Sequence, residues 1–309
     1  MTHRLPPAVF LMGPTATGKT DIARRLAAEQ DFQFELISVD SAQVYRGLDI
    51  GTAKGLNATD HHLVDIRDPS EPYSAADFRQ DAIALMEDIT REGRIPLLVG
   101  GTMLYFKALR DGLAKMPQAD PAIRAAILEE ASREGWESLH SELTEVDPVA
   151  AGRIKPTDTQ RLQRALEVYR LTGQPISIFH EEQKEISEYE YFQLGFMLED
   201  RSELHRRIEV RFRQMLEAGF IEEVRALYER GDLNRELPAI RAVGYRQIWD
   251  YLDGKIDYEG MIEQVLAATR QLAKRQITWM RGWNDLEFIH ALPYPDYQQV
   301  LNRLRSAII

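Results

Sequence analysis

Eight consecutive residues carry the clearest chemistry in the chain: Gly13, Pro14, Thr15, Ala16, Thr17, Gly18, Lys19 and Thr20. They fit G-x-x-x-x-G-K-[ST], the phosphate-binding P-loop. Gly13 and Gly18 let the backbone bend tightly around phosphate oxygens. The N–H groups then converge at the positive end of a helix. Lys19 adds a mobile positive charge and Thr20 a hydroxyl suited to Mg²⁺. A ligand with two or more phosphates is expected here, held by all eight residues.

A second reactive group is Asp40, at the end of the apolar run Phe34-Glu35-Leu36-Ile37-Ser38-Val39. Placed after a strand, it can help hold Mg²⁺, act as a general base beside the phosphates, or cap the next helix. Thr102 follows Val99-Gly100-Gly101 and either caps a helix or offers a hydroxyl to the site. Arginines and lysines form further groups. Arg161 and Arg164 share a helical face, as do Arg270 and Lys274 with Arg281 close by. Arg241 and Arg246 bracket Ala242-Val243-Gly244-Tyr245. Each group alone suits a solvated surface; together they suggest an anionic partner beyond the P-loop. His61-His62 has no third ligand at usable spacing and reads as a strand end or turn.

These residues need a scaffold that gathers them. Ala8-Val9-Phe10-Leu11-Met12 is a buried strand, and Asp21–Glu29 has the apolar spacing of a helix. Residues 34–40 form a second strand, and His61–Ile66 a short third. Ser74 opens a helix through Glu92 with Asp77 at the capping-box position. Phe78, Ile83, Leu85, Met86 and Ile89 form much of its apolar face, and Gly93 ends it. Ile95–Val99 is another strand, followed by a helix through Leu109. Strands alternating with helices imply a doubly wound, parallel α/β sheet, with Asp40 at a carboxyl end facing the ligand crevice.

The rhythm changes near Gly112. Residues 120–170 are helical in pattern, with turn signals at Gly135, Asp147-Pro148 and Lys155-Pro156. Tyr191–Met197 returns to the sheet. Glu181–Glu190 is a charged connector that can serve as a hinge. Helices are expected at Glu203–Leu216, Ile221–Tyr228, Tyr245–Tyr251 and Tyr258–Gly282. The expected organisation is a P-loop NTPase-like α/β core at 1–112, an all-helical insertion at 113–190, and a mostly helical return to the core at 191–309.

The bulk composition narrows the setting. Among 309 residues none is cysteine, which excludes disulfides, thiolate metal sites and a cysteine nucleophile. No apolar run approaches a membrane span, and the first strand begins too early for a signal peptide, so a cytoplasmic location is expected. No long exposed apolar face stands out, which suits a monomer. The net charge of −11 argues mildly against a polyanion partner, but distribution matters more than the sum. From Leu266 to Arg281 there are four basic residues and no acidic one.

Two enzymatic readings fit these residues: a small-molecule kinase using ATP with a helical lid, or a transferase on nucleic acid whose P-loop holds a diphosphate leaving group. A nucleotide-gated RNA-binding module fits less well, because it gives Asp40 no task.

An ordered set of motifs decides between them. Residues 13–20, Ser-Val-Asp-Ser-Ala-Gln-Val-Tyr-Arg at 38–46 and Asp-Ile-Gly-Thr-Ala-Lys at 49–54 resemble the tRNA dimethylallyltransferases. So do Val-Gly-Gly-Thr-Met-Leu-Tyr at 99–105, Gln-Arg-Leu-Gln-Arg-Ala-Leu-Glu at 160–167, Arg-Ala-Val-Gly-Tyr-Arg at 241–246 and Lys-Arg-Gln-Ile-Thr-Trp-Met-Arg at 274–281. The bacterial type is the one expected, since no zinc-finger extension of the kind seen in eukaryotic members follows Ile309.

The resemblance implies that N6 of an adenosine 3′ of the anticodon, position 37, attacks C1 of dimethylallyl diphosphate with Mg²⁺ present. Asp40 would take the proton, with Lys19, Thr20 and Thr102 also at the catalytic centre and Thr20 toward the metal. It further implies tRNA contacts at Asp40, Ser41, Ala42, Gln43 and Thr102. Others would lie at Arg124 and at Gln160, Arg161, Leu162, Gln163 and Arg164. A further group comprises Arg241, Ala242, Val243, Gly244, Tyr245 and Arg246. The last comprises Lys274, Arg275, Gln276, Ile277, Thr278, Trp279, Met280 and Arg281. The insertion would clamp the anticodon stem-loop.

Overall fold

The computed structural model describes residues 5–54, 61–181, 188–291 and 294–308. The chain divides into two compact units, Met1–Arg110 with Ser187–Ile309, and Asp111–Ile186. Residues 182–187 of the charged connector, and Gly55 of the stretch from Gly47 to Gly55 that reads in the sequence as glycine-rich and irregular, lie outside the described residues.

In chain order, the first unit begins with β1 (Pro7–Met12), α1 (Lys19–Ala27), β2 (Phe34–Val39), β3 (His61–His62), α2 (Ala75–Arg91), β4 (Ile95–Gly100) and α3 (Met103–Asp111). The second unit holds α4 (Pro121–Glu134), α5 (Trp136–Val146), α6 (Pro148–Ala151), α7 (Thr159–Thr172) and α8 (Ile176–Glu181). The first unit resumes with β5 (Glu190–Leu198), α9 (Arg201–Glu217), α10 (Phe220–Tyr228), α11 (Tyr245–Leu252), α12 (Tyr258–Arg281), β6 (Glu287–Ala291) and α13 (Tyr297–Ile308).

All six strands run parallel in the order β3-β2-β4-β1-β5-β6. The α/β class expected from the strand–helix alternation is therefore present. Every residue of β1 from Ala8 to Met12 is fully buried, because helices cover both faces of a parallel sheet. Alternation then divides the strand between two cores. Ala8, Phe10 and Met12 join one with α2, α3, α10, α11 and α12. Val9 and Leu11 join the other with α1 and α13.

The capping box at Ser74 and Asp77 forms as expected. On α2 the fully covered stripe is Phe78, Ala82, Met86 and Ile89, while Ile83 and Leu85 are only partly buried. The third strand is shorter than expected: it pairs His61 and His62 with Leu36 and Ile37, then breaks where Leu63 and Asp65 adopt positive φ. β6 and α13 were not individually foreseen in a region expected to be mostly helical.

Two glycines bring the strand ends together. A Cβ on Gly100 would lie 2.0 Å from the Val39 carbonyl oxygen, and one on Gly101 would lie 2.4 Å from Gln276 Nε2. A side chain at Gly100 would have to move the β2 backbone, and one at Gly101 would displace the Gln276 side chain. The second unit has its own core, centred on Ile127, Leu139, Leu143, Leu162, Ala165 and Leu166.

Candidate active site

The carboxyl ends of β1, β2 and β4 open into one cleft of about 420 Å³ within the first unit. Thr15 to Asp21, Asp40, Ala42, Gln43 and Gly100-Gly101 line it, together with residues of the helices beyond β5. This is the crevice position expected for ligands of an open parallel sheet.

The P-loop closes on itself through three features. Ala16 and Gly18 adopt positive φ, of 65° and 87°, and Gly18 caps α1 without a side-chain hydrogen bond. Such turns leave successive N–H groups facing one concavity, which favours an anion. Thr17, fully buried, donates its hydroxyl to the Pro14 carbonyl at 2.8 Å. Lys19 Nζ donates to the same carbonyl at 2.7 Å, which holds it over the loop.

Burial, and then the nearby Arg211 guanidinium, push the Lys19 ammonium down to about 7, against a smaller opposing effect of Asp40. Arg211, on α9, is itself lowered by burial while Asp40 and Asp21 favour its charge. Four cations, Lys19, Arg24, Lys54 and Arg211, and two carboxylates, Asp21 and Asp40, thus line the same cleft. That arrangement suits a ligand more anionic than a single phosphate monoanion.

Of the roles considered for Asp40, the contacts show a cap, on a turn rather than on a helix. Its Oδ1 accepts from the N–H groups of Ala42 at 2.9 Å and Gln43 at 3.3 Å, so it caps the turn that follows β2. The same capping fixes the carboxylate at the cleft wall. Thr102 Oγ1 accepts from Ser41 N–H at 3.1 Å, tying the turn after β4 to the turn after β2. Thr20 is exposed beside the cleft. Among the described residues no cluster of three or more His, Cys, Asp or Glu could enclose a metal. The oxygens of Thr20 and Asp40 suit Mg²⁺ only in the mode where substrate phosphates and water supply most ligands.

One wall is apolar. Ile208, Phe212 and Met215 of α9, Phe220 of α10, and Val265 and Leu272 of α12 line the cleft. Neither this wall nor Arg211 was foreseen. A signal for Arg211 exists: it follows Leu204 and Ile208 by seven and three residues, on the buried stripe of its helix, where a cation needs a reason.

The remaining expected site residues separate by exposure. Lys274, Arg275, Thr278, Trp279 and Arg281 are exposed along α12, and Arg241 is exposed before α11. Ala242, Val243 and Arg246 are half-buried, and Ala242 and Val243 line the cleft with Gly244. Ile277 is partly buried.

Four expected RNA contacts need correction. Leu162, Tyr245 and Met280 have no exposed surface, because successive residues of a helix point in different directions; Leu162 and Met280 point into the cores, and Tyr245 packs in the wall of the cleft. Gln276 is also buried. Its Oε1 accepts from Thr15 N–H at 3.3 Å and its Nε2 donates to the Gly101 carbonyl at 2.9 Å. Gln276 therefore braces the P-loop against β4, and it occupies one N–H that the sequence assigned to phosphate.

In the helical unit, Arg161 is 71% exposed and pairs loosely with Asp158, while Gln160 is exposed. Arg124 and Arg164 both bind the fully buried Glu167. Burial pushes that carboxyl up, but the hydrogen bonds from Arg124, Arg164 and the Asp120 backbone bring it below its ordinary value. Arg164 also donates to the Pro117 carbonyl, and Gln163 to that of Arg124. These two arginines are engaged in holding their own unit together.

The chain is similar to known proteins over most of its length. A family model described as IPP transferase matches residues 43–283. The tRNA isopentenylpyrophosphate transferase of Bacillus halodurans is 36% identical over 97% of each chain, with a TM-score of 0.69. A tRNA delta(2)-isopentenylpyrophosphate transferase of Staphylococcus epidermidis is 30% identical over 98% of each chain, with a TM-score of 0.68. A eukaryotic dimethylallyltransferase acting on tRNA is 27% identical over 98% of this chain and 77% of its own, with a TM-score of 0.75. The P-loop cleft with its apolar wall thus sits in a chain that belongs to the IPP transferase family.

Proposed function

We propose that the cleft transfers a dimethylallyl group from dimethylallyl diphosphate to N6 of the adenosine at position 37 of tRNA, releasing diphosphate. The observation that carries this reading is the meeting, in one cleft of a family member, of a diphosphate cradle, a fixed carboxylate and an apolar wall. A kinase would use the first of these, but nothing in the comparisons favours one.

In this reading the C1–O bond of dimethylallyl diphosphate breaks as the N6–C1 bond forms. Negative charge grows on the departing bridging oxygen. Lys19, Arg211 and the P-loop N–H groups after Thr15 face that charge in a partly dry site, where fixed donors act most strongly. The attacking amine is a weak nucleophile and acquires positive charge. Asp40 accepts its proton, for which the cap to Ala42 and Gln43 holds the carboxylate ready. The dimethylallyl tail lies along Ile208, Phe212, Met215 and Phe220, away from water. Mg²⁺, held near Thr20 and largely by the diphosphate itself, would neutralise the leaving group.

The adenine has to leave its stack to enter the cleft. Residues 40–43 with Thr102 would receive the base, and Arg161, Arg241, Arg246, Lys274, Arg275, Trp279 and Arg281 would engage the RNA. The helical unit would contribute its exposed Gln160–Arg161 end to the anticodon stem-loop. We take the enzyme to work as a cytoplasmic monomer; no helix among the described residues is long and apolar enough to cross a membrane.

The test is incubation of the purified protein with Mg²⁺, unmodified tRNA and labelled dimethylallyl diphosphate, with ATP and small acceptors in a parallel arm. Label in tRNA supports the reading. Phosphate moving from ATP to a small acceptor, with none of the label in tRNA, would replace it with the kinase.

A further inference from the structure

Glu223, on α10, is not among the residues to which the chemistry above gives a role, yet its carboxylate is the hub of one wall of the cleft. Oε2 accepts from the N–H groups of Asp49 at 3.1 Å and Ile50 at 2.6 Å. Oε1 accepts from Gly51 N–H at 3.2 Å and from the Tyr245 hydroxyl at 2.6 Å. Three consecutive backbone donors and a buried phenol thus converge on one anion, an arrangement in which charge-assisted hydrogen bonds strengthen one another.

The segment it holds has no freedom elsewhere. A Cβ on Gly51 would lie 2.2 Å from the Phe220 ring and 2.6 Å from that of Tyr245, so the backbone is pressed directly onto those two rings. Lys54 Nζ, almost fully buried, donates to the Tyr45 carbonyl at 2.6 Å and pairs with Asp49 and Asp65. At the cleft, Gln43 Nε2 donates to the Thr52 carbonyl at 3.2 Å while its Oε1 accepts from Ser38 Oγ at 2.9 Å. The side chain of Gln43 is therefore held between Ser38 and the 49–52 backbone, and three successive N–H groups of that backbone are fixed by Glu223.

We infer that Glu223 is a positioning residue for the transfer: through residues 49–52 it sets the Gln43 side chain, and with it the turn 40–43 that carries Asp40. The inference rests on the proposed function, because it concerns the half of the cleft that would receive the base. A glutamine at 223 cannot serve both sets of donors. Whichever way its amide points, an NH₂ group meets either the Asp49 and Ile50 N–H groups or the Gly51 N–H group, and only the Tyr245 hydroxyl can turn to accept from it. The P-loop itself receives nothing from Glu223, so the diphosphate half should be untouched.

The experiment compares wild type, Glu223→Gln, Tyr245→Phe, Gln43→Ala and the Glu223→Gln/Gln43→Ala double variant. It measures single-turnover transfer at saturating substrates, pyrophosphate affinity by calorimetry and thermal melting. Tyr245→Phe removes one donor of four and keeps the packed ring, so it reports even if Glu223→Gln folds poorly.

Glu223→Gln should slow the single-turnover step by about 10–100-fold, the scale of a small misplacement of reacting groups, and Tyr245→Phe by less. Pyrophosphate affinity should stay within about twofold of wild type, while the double variant should be no slower than the slower single variant. A merely structural residue would lower the melting temperature and leave the single-turnover rate intact below it; that result overturns the inference. So would multiplicative losses in the double variant, or an equal loss of pyrophosphate binding. If wild type transfers nothing, the proposed function falls as well. If wild type transfers and the Glu223 and Tyr245 variants match it, the inference alone falls.

Discussion

Lys19 should take up a proton when diphosphate binds. In the free cleft its ammonium is held at about 7, against an ordinary value of 10.5, by burial and then by Arg211. Phosphate oxygens placed in the P-loop would supply the missing counter-charge and restore the ordinary value or exceed it. At about pH 8 the free enzyme then carries roughly 0.1 proton on Lys19 and the complex nearly 1, an uptake of roughly 0.9 proton; at about pH 6 the uptake falls to roughly 0.1. Affinity must follow. Between about pH 7 and pH 9 the protonated fraction of free enzyme drops about 50-fold, which weakens binding by about 2 kcal/mol.

The assay is calorimetric titration with pyrophosphate at about pH 8 in two buffers of different ionisation enthalpy, on wild type and Lys19→Arg. Arginine stays charged in both states, and the ligand's own protonation is common to both proteins. Wild type should take up most of one proton more than the variant. Arg211→Gln should shrink that excess, because removing the guanidinium raises Lys19. The same shift has a stability sign. Lys19 is lowered in the fold, so the unfolded chain binds more protons between about pH 7 and 10.5, and the free protein should gain stability as pH rises through that window. Equal proton uptake by wild type and Lys19→Arg would refute the reasoning.

Further predictions follow from the same contacts. Asp40→Asn keeps an oxygen to cap Ala42 and Gln43 but cannot accept a proton, so single-turnover transfer should fall by roughly 10²–10⁴-fold with tRNA affinity retained; an unaltered rate would remove Asp40 as the base. Neutralising Arg161, Lys274 or Arg281 should each reduce the salt slope of tRNA binding by about one, and unchanged slopes would return them to plain surface. Arg164→Gln should behave differently, costing the helical unit about 1–3 kcal/mol in a denaturation experiment because it strips one partner from the buried Glu167; a stable variant with an altered salt slope would contradict the structural role.

The site was legible in the sequence wherever it is local. The P-loop compresses a turn, a cap, one charged group and a hydroxyl into eight residues, and Asp40 stands one residue past a strand whose apolar pattern is plain. Arg211 and Glu223 were not legible in the same way, since their partners lie far along the chain; Glu223 meets residues more than 170 positions away. Contiguous motifs also misled. Residues 160–164, 241–246 and 274–281 resemble family motifs as unbroken strings, but a helix turns Leu162, Tyr245, Gln276 and Met280 inward while their neighbours stay outside. β6 was missed because Glu287-Phe288-Ile289-His290-Ala291 is short, pairs only with β5 and keeps polar residues at an edge.

The central claim is alkylation of one exocyclic amine, and the product nucleoside tests it most directly. Reacted tRNA would be digested to nucleosides and analysed by mass spectrometry, alongside the same tRNA carrying guanosine in place of the adenosine 3′ of the anticodon. The account predicts N6-isopentenyladenosine from the first tRNA and no prenylated nucleoside from the second. Prenylation elsewhere, or none with either tRNA, would contradict it.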